Sequence, residues 1–274
     1  MSLLRQQPLA VQINRENCLV LQLSRRGRHF VVEHFSQQHQ SSLTDKGLKP
    51  DSIVSALDYS ATHYQKIPLD NNQQVEEQLL EKLPPQLKRN TGISYDYFTH
   101  SHGNEAEAVI GQRSALEDLL VLLAPLKMPV QVVEPVYQSV VRAANAVLPY
   151  LWPDNAEFET NMAWVVVELR QQQSILLYCK NGVFQRLDYV DTNNLVSLLL
   201  KAQLSHQFSW VMSFGDKAIQ SQLERQLSNQ QQLKHLALST APFFQNNVAP
   251  IISALDNELV LLGLALRGFS QWHR

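Results

Sequence analysis

The chain has 274 residues, 45% of them apolar, enough to bury on the order of 70 to 75% of its unfolded surface around a core that needs no disulfide or metal staples. Its 23 basic and 25 acidic side chains give a formal net charge of -2, so no global electrostatic pull toward nucleic acid exists. Only Cys18 and Cys179 occur, too few for a disulfide framework and without metal-type spacing, and a reducing cytosol is expected.

The first residues carry no apolar stretch of the signal-peptide kind, and the apolar runs at 119–126 and 259–266 are far below the roughly 18 residues that span a bilayer. Residues 9–13, 18–24 and 29–35 read as three short strands, the last two joined through Arg25-Arg26-Gly27-Arg28 with Gly27 supplying the turn. A polar loop follows at 37–50, and the β-branched and aromatic alternation of 53–69 predicts a hairpin or two edge strands. Val75, Leu79, Leu80 and Leu83 have helical spacing, stopped by Pro84-Pro85, because proline lacks the N–H that the next turn requires.

After Asn90-Thr91-Gly92 comes a β-β-α-β unit: 93–99, 106–112, a helix over 114–126 and a strand over 130–134. Ser114 and Glu117 have capping-box spacing at the start of that helix. A helix over 135–151 closes the first half, and the Trp152-Pro153-Asp154-Asn155 cluster marks the expected boundary between units 1–152 and 153–274. The second half repeats the opening: strands at 163–169, 174–179 and 183–189, with Asn181-Gly182 as a hairpin turn. Helix 194–204, strand 209–214, helix 217–227, strand 233–239 and an apolar helix over 255–269 complete it. That last helix is apolar all round, which predicts core.

Each half therefore reads as three strands followed by α/β, the plan of actin-like proteins. Residues 10–23, Val132-Val133-Glu134-Pro135-Val136-Tyr137, the Thr240-Ala241-Pro242-Phe243 turn and the ending Leu262-Gly263-Leu264-Ala265-Leu266-Arg267-Gly268-Phe269 resemble the PilM family, especially its short HofM and ComA-like members. The similarity runs along nearly the whole chain. It implies an α/β, actin-like (ribonuclease H-like), two-lobed fold with an inserted β-α-β subdomain near 93–134. The second lobe is shortened, since only one helix fits between Tyr189 and Ser209, where relatives insert a nucleotide-clamping subdomain.

Actin-like ATPases grip phosphate with glycine-bearing hairpins, because a backbone without Cβ can bring its N–H groups against the anion, and hold magnesium through aspartates. By this resemblance the first such pattern, Asp-Ile-Gly with a later lysine, falls on Gln12-Ile13-Asn14 and Leu19, which lack the carboxylate, the glycine and the cation. The second falls on Glu168-Leu169-Arg170, keeping a carboxylate but placing a long side chain against the phosphate position. The adenosine-facing Gly-Gly pair falls on Phe214-Gly215, followed by Asp216. ATP turnover is therefore not expected and no cofactor is assigned; binding without turnover stays open, since Arg170 can pair with a phosphate. Glu134 stands where the family has an acid near the attacking water, and reads also as a carboxylate answering the dipole of the helix that follows.

Further implications concern a partner: the cytoplasmic N-terminal tail of a PilN/HofN-like single-pass inner-membrane protein, held between the first lobe and the inserted subdomain. Strand-edge hydrogen bonds and apolar pockets would recognise it, with Tyr95 and Tyr97 on one strand face as lining residues or as ordinary sheet packing against the helix from Ser114. The implied role is a cytoplasmic scaffold of type IV pilus assembly or competence DNA uptake, reaching the membrane only through that partner, with no direct nucleic-acid contact. Self-association stays open. A nucleotide-responsive switch or ATPase is the alternative, and a sugar-kinase-type enzyme a third class that the altered hairpins disfavour. His100 and His102, with Glu105 and Glu107 nearby, invite a metal reading but lack a second ligand cluster. The Arg25, Arg26 and Arg28 cluster reads as a solvated hairpin tip.

Overall fold

The computed structural model describes residues 8–14, 17–26, 29–40, 43, 50–69, 74–83, 92–99, 105–152, 162–244, 249–267 and 269. Gly27, Arg28, Pro84-Pro85, His100, His102 and 153–155, all singled out above, lie outside the described residues. The first half runs β1 (Leu9–Asn14), β2 (Asn17–Arg26), β3 (His29–His39), β4 (Ile53–Leu57), β5 (Thr62–Pro68), α1 (Val75–Lys82), β6 (Ile93–Thr99), β7 (Glu105–Gln112), α2 (Arg113–Leu123), β8 (Val130–Pro135) and α3 (Val136–Leu151). The second runs β9 (Ala163–Leu169), β10 (Gln173–Lys180), β11 (Val183–Asp191), α4 (Leu195–His206), β12 (Trp210–Gly215), α5 (Lys217–Leu227), β13 (Lys234–Ala237), α6 (Ala249–Asn257) and α7 (Leu259–Leu266).

Two five-stranded sheets share one plan, β3-β2-β1-β4-β8 and β11-β10-β9-β12-β13. In each, the first three strands are antiparallel and the last two join in parallel. Local chemistry places the turns. Asn181 and Gly182 carry φ of 56° and 73°, the left-handed pair that a tight hairpin requires, and Asn145 donates to the Gly182 carbonyl at 2.7 Å. Six consecutive residues of β10 are buried because that strand is covered on both faces.

Three expectations are corrected here. Residues 53–69 do not form a hairpin or edge pair: β4 is an interior parallel strand, with Ile53, Val54 and Ser55 buried between β1 and β8. A turn over Tyr59–Ala61, capped by the Asp58 carboxylate accepting from the Ser60 amide, then sends β5 into a separate sheet. That third sheet, β5-β7-β6, recruits Thr62–Pro68, whereas β8 belongs to the first sheet, so the inserted unit does not coincide with 93–134. Ile67 is the reason, buried with Leu79 of α1 and Ala108 of β7. Finally, no capping box opens α2: it starts at Arg113, whose amide donates to the Gly92 carbonyl at 2.6 Å, and Ser114 sits inside the first turn.

One apolar cluster joins the inner faces of both five-stranded sheets through α3 and α7. These two helices pack so closely that a Cβ on Gly263 would stand 1.9 Å from the Ser139 carbonyl oxygen. The outer face of the second sheet is covered by α4 and α5, and that of the first by α2. The apolar segment expected as one helix over 255–269 is two, α6 and α7, broken at Glu258. Among the described residues no helix is long and apolar enough to cross a membrane. Both cysteines are free and buried, and burial pushes the Cys18 thiol up to about 12.

Candidate functional site

A cleft of about 1010 Å³ opens where the ends of β1, β9 and β12 approach the start of α5 and the α6–α7 junction. Gln12, Asn14, Glu168, Arg170 and Gly215, all selected from sequence, line it together. The structure adds Tyr59 and Glu258.

Glu168 is the centre of the first cluster. Arg170 pairs with its Oε1 through Nη2 at 2.6 Å and Nε at 2.7 Å, and the Tyr59 hydroxyl donates to its Oε2 at 2.8 Å. The Arg170 guanidinium also sits 5.6 Å from the centre of the Tyr59 ring. Tyr59 follows β4 and Glu168 ends β9, so this chain of contacts ties the two halves across the cleft. Burial, then the neighbouring Glu168 carboxylate, raises the Tyr59 hydroxyl well above its ordinary value, keeping it a proton donor.

The second cluster is built on Gln12. Its Nε2 donates to Glu258 Oε2 at 2.8 Å and to Asn14 Oδ1 at 3.2 Å, while its Oε1 is buried without a partner. The helix break at Glu258 delivers the carboxylate to this spot. Burial is the main reason that the carboxyl titrates above its ordinary 4.5, opposed by the Gln12 hydrogen bond and reinforced by the charge of Glu168.

Gly215 has a reason of its own to be glycine. Its φ is 104°, and a Cβ there would lie 2.5 Å from the Leu169 carbonyl oxygen. That close approach lets the Asp216 amide donate to the same oxygen at 3.0 Å while the Asp216 carboxylate caps α5 through the Ala218 and Ile219 amides.

The remaining candidates fall elsewhere. Leu19 pairs with Gln12 in register, but its side chain is buried in the core. Glu134 does not cap α3, whose N-cap is Pro135 without a side-chain bond. It is 4% exposed and grips Arg142 through both carboxylate oxygens, accepts from Ser139 Oγ, and lies 3.6 Å from Arg267. Arg142 in turn donates to the Gly263 carbonyl at 3.0 Å, so Glu134 pins the α3–α7 crossing.

Tyr97 donates to Glu76 Oε1 at 2.6 Å and packs toward α1, not toward the helix that begins at Arg113. Tyr95 shares its strand face and is 42% exposed. Lys66 pairs with Glu107 at 3.6 Å, and Arg26 with Glu33 at 4.0 Å. Among the described residues no group of three or more His, Cys, Asp or Glu could hold a metal ion.

Sequence reasoning missed Glu258 and Tyr59. The polar interruption Asp256-Asn257-Glu258 between two apolar runs was the available signal for the first. Nothing local marked the second, whose partner is 109 residues away.

Two copies of one five-stranded plan facing a shared cleft, with a third sheet inserted into the first copy, define an actin-like α/β fold. Within that class the fold is PilM-like. The chain is similar to the structure of the PilM–PilN type IV pilus biogenesis complex, at 13% identity over 96% of this chain and 99% of that one, with a TM-score of 0.67. It is also similar to a Bacteroides thetaiotaomicron protein with an actin-like ATPase fold and unknown function, at 9% identity over 94% and 96% of the two chains, TM-score 0.52. A further likeness is to the cytoplasmic domain of EpsL, an inner-membrane component of the Vibrio cholerae type II secretion system, at 13% identity over 76% and 82%, TM-score 0.51. No protein-family profile matches the chain, and no curated protein matches it.

Proposed function

We propose that this chain is a non-catalytic scaffold of type IV pilus assembly or competence DNA uptake, held at the cytoplasmic face of the inner membrane by the N-terminal tail of a PilN-like single-pass protein. The observation that carries the non-catalytic reading is the closed Tyr59–Glu168–Arg170 chain of contacts. In this reading it stands at the position to which the sequence resemblance assigns a phosphate-facing glycine. A phosphate entering there must break a charge-assisted pair and then face the carboxylate it exposes. The PilM–PilN likeness, which extends over nearly the whole of both chains, supports the scaffold role.

The tail-binding surface in this reading is the β6 side of the third sheet. Strand β6 is an outer strand of that sheet and presents Tyr95 beside its edge. Tyr97, on the same strand face, is bonded to Glu76 of α1.

Fluorescence anisotropy with synthetic N-terminal tails of PilN-like proteins is the test, with ATP and magnesium titrated calorimetrically in parallel. At least one tail binds saturably, and Tyr95→Ser weakens it by about 1 to 2 kcal/mol, the cost of an aromatic contact residue. ATP gives no saturable heat. Silence from every tail removes the scaffold reading, and micromolar ATP binding favours a nucleotide-responsive switch in its place.

A further inference from the structure

The inner faces of the two five-stranded sheets share one core, and their outer faces are covered by different helices, α2 on the first and α4 with α5 on the second. Helices α2 and α4 therefore lie on opposite sides of that core. Each carries one of the two most exposed large apolar side chains among the described residues, Val121 of α2 at 72% and Leu204 of α4 at 75%. A single exposed apolar residue is ordinary. These two come with opposite charge.

On α2, the exposed Glu117 and Asp118 lie one helical turn before Val121, on the same side of the helix. On α4, the exposed Lys201 lies one turn before Leu204, His206 ends the helix, and no acidic residue occurs in it. Glu117, Asp118 and Lys201 form no ion pair among the described residues, so neither set of charges is neutralised within the chain. Beside Lys201 a groove of about 790 Å³ runs between α4 and β11. Leu176, Val190, Leu198 and Ala202 give it an apolar lining, Lys201 and His206 border it, and its one acid, Asp188, is held by Arg186.

We infer that α2 of one copy of this chain docks on α4 and the adjoining groove of a second copy, with Val121 against the apolar lining and Glu117 and Asp118 against Lys201 and His206. Charge selects this pairing over the two symmetric ones. Placing α2 on α2 opposes carboxylates to themselves, and α4 on α4 opposes Lys201 to itself, whereas α2 on α4 brings opposite signs together. Because the two surfaces differ and lie on opposite sides of the core, each copy in a pair keeps one of them unused. Copies therefore add head to tail, as a row or a closed ring.

The inference goes beyond the scaffold role and depends on neither the cleft nor the tail-binding surface. Sedimentation velocity of the full chain, in a concentration series up to about 0.1 mM at low and high salt, tests it. The mean sedimentation coefficient rises with concentration, and rises less at high salt, which screens exposed charges. Glu117→Lys with Asp118→Lys, and separately Lys201→Glu, each weaken association about tenfold or more, since a like-charge contact replaces an attractive one. Val121→Ser weakens it as well. All these positions are exposed, so the variants keep the fold, which cooperative melting verifies. The three charge reversals combined in one chain recover most of the loss, because opposite charges meet again with the sides exchanged. A chain that stays monomeric over the whole range overturns the inference. Association that either reversal leaves unchanged, or that the combined variant fails to recover, also overturns it by placing the contact on another surface.

Discussion

Gly263→Ala tests the packing on which the whole cleft depends. In an exposed helix this change stabilises by about 1 kcal/mol, because alanine loses less backbone entropy than glycine. Here the added methyl stands 1.9 Å from Ser139 O, 2.5 Å from its carbonyl carbon and 2.8 Å from its Cα, all backbone atoms that cannot rotate away. Reaching an ordinary contact of 3.4 Å means that α7 retreats from α3 by 1.5 Å. That movement opens the cluster shared by both sheets and pulls the Gly263 carbonyl from Arg142. Overpacking of this kind costs about 1 to 3 kcal/mol and a lost bond to a charged donor about 1.5 to 3 kcal/mol, so the net effect is a destabilisation of about 3 kcal/mol. At about 2 to 4 °C per kcal/mol for chains approaching this length, the melting temperature falls by about 6 to 12 °C. Thermal unfolding followed by circular dichroism reads it. Gly111→Ala is the control, because its methyl meets the movable Leu57 Cδ1 at 3.3 Å and otherwise only Ser94 O at 3.9 Å. An unchanged or raised melting temperature for Gly263→Ala refutes the close crossing of α3 and α7.

Two further outcomes concern carboxylates. Since the Glu258 carboxyl titrates above its ordinary 4.5, the folded state holds this proton more tightly than the unfolded chain. The stability so gained is full below about pH 4.5 and is lost as pH rises through the raised value; Glu258→Gln, with an amide donor for Gln12 Oε1, removes that loss and raises stability at pH 7 by about 1 kcal/mol. Urea titrations at several pH values check it, and a wild-type minus variant difference that does not change between pH 4 and 7 contradicts the assignment. For the buried Glu134 pair, Glu134→Gln leaves Arg142 and Arg267 without their counter-charge and costs about 3 to 5 kcal/mol, whereas Glu134→Leu with Arg142→Met recovers more than half of that loss. Equal destabilisation in the double variant would argue that the pair is a marginal contributor to a packing defect.

The duplicated plan was legible in the sequence because its signals are local. Asn181-Gly182 sets the β10–β11 hairpin within two residues, Asp216 caps α5 within three, and the apolar run of α7 announces its own burial. What the sequence concealed depends on distance along the chain. Periodicity assigns Thr62–Pro68 to a strand but not to a sheet, since that depends on Ile67 meeting Leu79 and Ala108. Glu134 read as a helix-start carboxylate because its neighbour in sequence is a helix, yet its partner Arg142 lies two turns further on, with Arg267 arriving from the far end of the chain. Gln12, Asn14, Glu168, Arg170 and Gly215 line one cleft, whereas Leu19 lies in the core and Glu134 at the α3–α7 crossing. The bonds within the cleft were not legible, since Gln12 and Glu258 are 246 residues apart.

Arg170 ties the two halves of the site together in a way that neither residue type alone suggests. By the sequence resemblance alone, Arg170 stands at a glycine position and is an obstacle of size. In the structure it is also the cation that neutralises Glu168, and the Tyr59 hydroxyl secures the other carboxylate oxygen. Replacing Arg170 by glycine would clear the space and at the same moment leave Glu168 as an unpaired carboxylate, near Glu258 and facing any incoming phosphate. Arg170 and the Glu168 carboxylate are therefore one electrostatic unit. Removing Arg170 alone does not open this position to an anion, because the step that makes room also makes the room more negative.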